Sequence, residues 1–127
     1  MENSDEDTNE YYTKLLESLT LDDKRAVTHI MIALKEAKEK HPDPWAINTK
    51  SKVYDHCYAA SIVGEEAGEL LQMSMQHEHE GKDRMLQMIR EASQTGATVI
   101  RFIVNTLKHQ AEPKGNMRLP EPNNLEE

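Results

Sequence analysis

The chain has 127 residues, of which 30% are charged and 37% hydrophobic, and its formal net charge is -8. That length suits one domain, and with one Phe and one Trp the core must come mainly from Leu, Ile, Val, Met and Ala. The acidic balance argues against a nucleic acid polymer as partner, because such binding needs a basic stripe along the phosphates.

A nucleotide remains compatible with this charge, since divalent cations bridge protein carboxylates to phosphate oxygens. A thin core also implies that part of the apolar surface is buried against another copy of the chain. Cys57 is the only cysteine, which excludes an intrachain disulfide and a CxxC motif and suits a reducing compartment. The acidic start MENSDEDTNE lacks the character of a secretory signal, and no apolar run approaches the roughly 20 residues of a bilayer span. A soluble, cytoplasmic protein without a membrane partner is expected.

In chain order, residues 1–8 are expected to be acidic and disordered, residues 9–112 to form one all-α domain, and residues 113–127 to form a Pro-rich polar tail. A short helical stretch is expected around Tyr11 to Leu19. Thr20 is a plausible N-cap, followed by Asp22 and Asp23 in the first turn, where they complement the helix dipole. Val27, Ile30, Met31, Leu34 and Ala37 then recur at helical spacing until HPDP (41–44) stops the helix. After a linker to about Thr49, a second long helix is expected from Ser51 to His79. Gly81 breaks it, and a third runs from Lys82 to Gln110, carrying Met85, Met88, Ile89, Ala92, Val99, Phe102, Ile103 and Leu107. No strand of useful length is expected. Two long helices joined by a short break make an antiparallel hairpin, so the expected fold is an all-α helical bundle built around that hairpin and completed by oligomerisation.

The second long helix contains EEAGE. A helix advances about 100° per residue, so Glu65 and Glu66 each share a face with Glu69. Like charges at this spacing destabilise a helix, and these interrupt an apolar run of Ala59, Ala60, Ile62 and Val63 before them and Leu70, Leu71 and Met73 after. Burying carboxylates requires pairing, protonation or a metal. Gly68 leaves room for close approach at a cost of about 1 kcal/mol in helix propensity. The third long helix carries REASQ, with Glu91 and Gln94 three apart. In a hairpin folded near Gly81, Glu69 lies 12 residues before the break and Glu91 lies 10 after it, so both stand at similar height. Glu66, Glu69, Glu91 and Gln94 then form an oxygen cage suited to Mg²⁺ or Mn²⁺ and not to zinc. Thr98, Arg101, Asn105 and Lys108 continue the Gln94 ridge and could bind phosphate oxygens, although cations near a helix C-terminus also occur for dipole reasons alone.

EEAGE followed after 21 residues by EASQ resembles the EExxE…ExxD signature of the all-α nucleoside triphosphate pyrophosphatases, the MazG-like enzymes. The wider pattern HPDPW…HCYAASIVGEEAGELLQ…REASQTGATVIRFI is similar to short single-domain members of that group and covers about residues 38–107. The resemblance implies hydrolysis of a (deoxy)nucleoside triphosphate to the monophosphate and pyrophosphate. It implies Glu66, Glu69 and Glu91 as Mg²⁺ ligands, with Glu65 as a further ligand or a water-orienting base, and a homodimer or homotetramer. Gln94 stands where the family has Asp. An amide oxygen can bind Mg²⁺ but brings no charge, which weakens the site and opens a second expectation: a non-catalytic nucleotide- or metal-binding regulatory protein on the same fold.

Trp45 could stack on a nucleobase, or anchor the linker on the bundle; the anchor is preferred, because a lone Trp in a small core is usually buried for its area. His56 could reach a phosphate or base, but a partly buried polar residue is the simpler expectation. In HEHE (77–80), His77 and His79 are two apart and point to different sides, so a solvated helix cap is expected and not a metal site. Met73, Met75, Met85 and Met88 read as adaptable core or interface filler.

Overall fold

A computed structural model describes residues 2–110, with side chains from Glu6 to His109. Four helices follow in order: α1 (Glu2–Glu17), α2 (Leu21–Lys40), α3 (His56–His79) and α4 (Met85–Gln110). There is no strand among the described residues, only an isolated bridge between Ile47 and Tyr54. The expected tail over 113–127 lies outside them.

Helix α1 is longer than the stretch expected at its C-terminal half and already begins at Glu2, where disorder was expected. It packs on no other helix. Tyr11, Tyr12, Leu15 and Leu16 lie along one side of it and are exposed. Helix α2 starts as its sequence dictates. Thr20 Oγ1 accepts from the Asp23 amide and Asp23 Oδ2 accepts from the Thr20 amide, both at 3.1 Å, closing a capping box. The last turn closes with His41 N donating to Ala37 O at 2.8 Å, directly before Pro42.

The expected start of the second long helix at Ser51 is wrong by five residues. Asn48 Oδ1 accepts from the amides of Lys50 and Ser51 at 2.8 and 3.1 Å, folding a turn that competes with helix. Asn48 N donates to Val53 O, and Asp55 N donates to Ala46 O, so residues 46–55 form a small hairpin. Ala46 and Lys52 adopt left-handed φ values of 55° and 60°, which a helix could not accommodate. Asp55 then caps α3: its Oδ1 accepts from Tyr58 N at 3.0 Å, and Asn48 Nδ2 donates to its Oδ2 at 3.1 Å.

The break after α3 is also longer than expected, and α4 begins at Met85 instead of Lys82. Gly81 takes φ 69°, and Lys82 N reaches back to Gln76 O at 3.3 Å, the usual glycine termination of a helix. Arg84 closes the turn, donating from its amide to His77 Nδ1 at 3.1 Å and from Nε to Gln76 Oε1 at 3.0 Å. His77 therefore anchors the turn.

Helix α4 packs against both α3 and α2, whereas α2 and α3 do not pack on each other. A gap is thus left between α2 and α3, floored by α4. At Gly96 an added Cβ would stand 2.9 Å from Ile30 Cδ1 and Cγ1, so this glycine permits the close approach of α2 to α4. The buried core differs from the aliphatic one expected. Trp45, Ala46 and Tyr54 from the connection and Ala59 of α3 cluster with the partly buried Ile47, Ile62 and Phe102. The Tyr54 hydroxyl reaches Phe102 O at 3.4 Å and Thr106 Oγ1 at 3.2 Å, tying the connection to α4. The connection carries much of the apolar burial because α2, α3 and α4 meet only pairwise.

Candidate metal centre and adjoining cleft

The carboxylates foreseen on two helices do converge. Glu66 and Glu69 of α3 and Glu91 of α4 each offer an oxygen, and these oxygens lie within 4.8 Å of one another. The antiparallel pairing of α3 and α4 across the Gly81 turn sets their common height. Glu66 and Glu91 are half-buried and Glu69 is exposed. Glu66 Oε2 and Glu91 Oε2 are both buried and have no hydrogen-bond partner. A buried oxygen acceptor without a donor is costly, and two in one cluster need an explanation.

The electrostatics follow from this arrangement. Burial raises the Glu66 carboxyl above the usual carboxylate range, and the charges of Glu69 and Glu65 push it further in the same direction. Burial also raises Glu91, as do a hydrogen bond shared with Glu69 and the charges of Glu69 and Glu66; the neighbouring Arg90 partly opposes them. A divalent cation would satisfy the two orphan oxygens and remove the mutual repulsion. The donor set is all carboxylate oxygen, which fits Mg²⁺ or Mn²⁺.

Beside the cluster lies a cleft of about 380 Å³ in the gap between α2 and α3. Glu65, Glu66 and Ile62 of α3 form one wall, Ala33, Glu36, Ala37 and Lys40 of α2 the other, and Arg90, Gln94, Ala97, Thr98 and Arg101 of α4 the floor. His41 and Trp45 close one end. Gln94 therefore sits in the cleft with Glu66, on α4 one turn beyond Glu91. The exposed Glu65 contributes a fourth carboxylate to the same wall.

The expected phosphate ridge divides. Arg101 does line the cleft, but it is 2% exposed and its guanidinium is already engaged. Nη2 donates to His41 O at 2.8 Å and to Asp43 Oδ1 at 3.1 Å, and Nη1 donates to Ala37 O at 3.4 Å. It also lies 5.2 Å from the centre of the Trp45 ring. Arg101 thus bolts the end of α2 and the following loop to α4. Trp45, 8% exposed, is both part of the core and the closing wall of the cleft. Asn105, Lys108 and His56 do not line it. Asn105 Nδ2 donates to Arg101 O at 2.8 Å, Lys108 is exposed, and the exposed His56 ring stands edge-on to Tyr54 at 4.8 Å.

Sequence reasoning missed Glu36, Lys40 and Arg90. The signals were present: Ala33, Glu36, Ala37 and Lys40 share one face of α2, and Arg90 lies one turn before Gln94 on the same ridge. No protein-family model, no characterised protein and no solved structure matches the chain. No helix of the described residues is long and apolar enough to cross a membrane.

Proposed function

We propose that this chain is a Mg²⁺-dependent nucleotide pyrophosphohydrolase, converting a (deoxy)nucleoside triphosphate and water to the monophosphate and pyrophosphate, and that it works as a homodimer or homotetramer. The observation that carries the reading is the convergence of Glu66, Glu69 and Glu91 with two buried, unpartnered oxygens beside an open cleft. Glu66, Glu69 and Glu91 would hold Mg²⁺, with Mn²⁺ as a substitute, and the ion when bound supplies Lewis acidity toward a phosphate and lowers the pKa of water. Glu65, on the cleft wall next to Glu66, accepts a proton from the attacking water and orients it. Lys40 and Arg90 offer positive charge in the cleft to the phosphate chain. The cleft volume of about 380 Å³ lies at the small end of the range for ligand sites and suits one mononucleotide.

The test is pyrophosphate release from a panel of canonical and modified (d)NTPs with Mg²⁺ or Mn²⁺. Metal-dependent release is expected from the wild type and none from Glu66→Gln with unchanged helicity. Full activity in that variant would refute the site.

A second reading, a non-catalytic nucleotide- or metal-binding regulatory protein, is favoured by one observation. Gln94 lines the cleft beside Glu66 and brings an amide where the resemblance would place a carboxylate. An inert wild type in which Gln94→Asp creates activity would establish it.

A further inference from the structure

The contacts of α4 fix the direction in which the cleft runs. Gly96 faces Ile30, and Arg101 donates to the carbonyls of Ala37 and His41, so α2 runs parallel to α4. Glu66 and Glu69 meet Glu91, while Tyr54 just before α3 reaches Phe102 and Thr106, so α3 runs antiparallel. The cleft therefore has two distinct ends. Glu91 marks the carboxylate end. Thr98 and Arg101 lie about 10 and 15 Å further along the axis of α4 and mark the far end, where Glu36, Ala37 and Trp45 also line the cleft. A nucleotide whose phosphates meet the carboxylate cluster has its base at that far end.

The polar groups at the far end are mostly acceptors. Its walls are helices, whose backbone N–H groups are engaged within the helix. Thr98 Oγ1 donates to Thr95 O at 2.8 Å, so toward the cleft it can only accept. The Arg101 Nη groups are held by α2 and its loop, and its buried Nε has no partner. Glu36 is the remaining charged group. An exposed Glu on a helix is ordinary, and its ordinary partner is a Lys four residues on. Lys40 stands at that position, yet no ion pair joins the two, and Glu36 has no ion pair with any other described residue. Its carboxylate lines the cleft beside Ala33 and Ala37 with both oxygens unused.

A carboxylate binds best to two donors set side by side, one for each oxygen. Guanine presents such an edge, N1–H next to the N2 amine. Adenine and cytosine place a ring-nitrogen acceptor beside their amine, and uracil and thymine flank one N–H with two carbonyls, so a carboxylate meets a repelling lone pair in each. Guanine also carries O6 beside N1–H, an acceptor for the unpartnered Arg101 Nε. We infer that the far end of the cleft is a guanine site in which Glu36 accepts from N1–H and the N2 amine, so that the substrate class is a guanine (deoxy)nucleoside triphosphate. The inference rests on the pyrophosphohydrolase reading and adds the base to it; Glu36 determines specificity and takes no part in the chemistry.

Calorimetric titration of the full chain with α,β-imido analogues of dGTP, dITP, dATP, dCTP and dUTP in Mg²⁺ tests this without turnover. The guanine analogue is expected to bind at least about tenfold more tightly than those of adenine, cytosine and uracil. The hypoxanthine analogue, which keeps N1–H and lacks the amine, should fall between. Glu36→Gln should weaken the guanine analogue at least about tenfold. The other analogues should hold or tighten, because the substitution removes a negative charge from a cleft that receives phosphates. Glu39→Gln makes the same charge change on α2 outside the cleft and should leave the order of affinities intact. Equal binding of all five analogues, or a preference for another base, would overturn the guanine site and leave the pyrophosphohydrolase reading standing. A guanine preference that survives Glu36→Gln would overturn the role of Glu36. No binding of any analogue would overturn both readings together.

Discussion

Replacing Glu91 by Gln removes one charge from the carboxylate cluster while keeping its shape, and should make the metal-free protein more stable. Two unit charges 4.8 Å apart, the outer limit for these oxygens, interact by about 1 kcal/mol in water and about 3.5 kcal/mol at an effective dielectric of 20. Glu69 is exposed and Glu66 only half-buried, so the lower figure applies to each pair, and the relief is about 1–2 kcal/mol in all. In a domain of this size that raises the melting temperature by at least about 4 °C. If the cluster holds Mg²⁺ as proposed, the ion should reverse the order. At ten times its Kd it would stabilise the wild type by about 1.4 kcal/mol, and it should do little for a variant that has lost one of three carboxylates. The pH dependence has a defined sign. Glu66 and Glu91 are raised above their unfolded values, so their protonated forms favour the folded state. That stabilisation is complete below the unfolded carboxylate range and is lost as pH rises through the folded values. The metal-free wild type should therefore gain stability as pH falls from 7 toward the carboxylate range, with Glu91→Gln responding less. Calorimetric melts in EDTA and in Mg²⁺ across that range decide the matter. A metal-free variant that melts at or below the wild type, or equal stabilisation of both by Mg²⁺, would refute the reasoning.

Arg101→Met should lose about 2–3 kcal/mol in a urea titration, because three acceptors at the end of α2 and in the next loop lose their donor. Arg101→Lys should recover only part of this, since one ammonium cannot span all three. Gly64→Ala should stabilise by up to about 1 kcal/mol, because nothing lies near its absent Cβ and alanine is the better helix former. Gly96→Ala should forfeit that gain or lose stability, because its Cβ would meet Ile30 at 2.9 Å; equal melting shifts for the two would contradict the packing. Asp55→Ala should lower the melting temperature by removing the cap of α3. Hydrogen bonds from the Tyr58 amide and Asn48 hold the Asp55 carboxyl below its usual range, so its contribution is lost as acid protonates it. The variant should then lose less stability than the wild type below about pH 4.

Much of the site was legible in the chain because helical periodicity is local. Glu66 and Glu69 share a face through their spacing alone, and the Gly81 turn places Glu91 at their height once two helices are recognised. The capping box at Thr20 and the stop at HPDP are equally local, being set by hydrogen bonds and steric limits within a few residues. The start of α3 was not legible, because Asn48 and two left-handed residues stabilise a small hairpin that sequence periodicity does not register. The cleft was not legible either. It exists because α2 and α3 pack on α4 and not on each other, and that spacing brings Glu36 and Lys40 opposite Glu65 and Glu66. Only the fold shows that Arg101 is a bolt. The acceptors at Ala37 and His41 and the ring of Trp45 lie some 60 positions away in the chain and meet its guanidinium through packing alone. Sequence determines which side chains share a helix face, since that depends on neighbours one turn apart. Tertiary packing decides which faces meet and which stay open, and so which charges are free to bind a ligand.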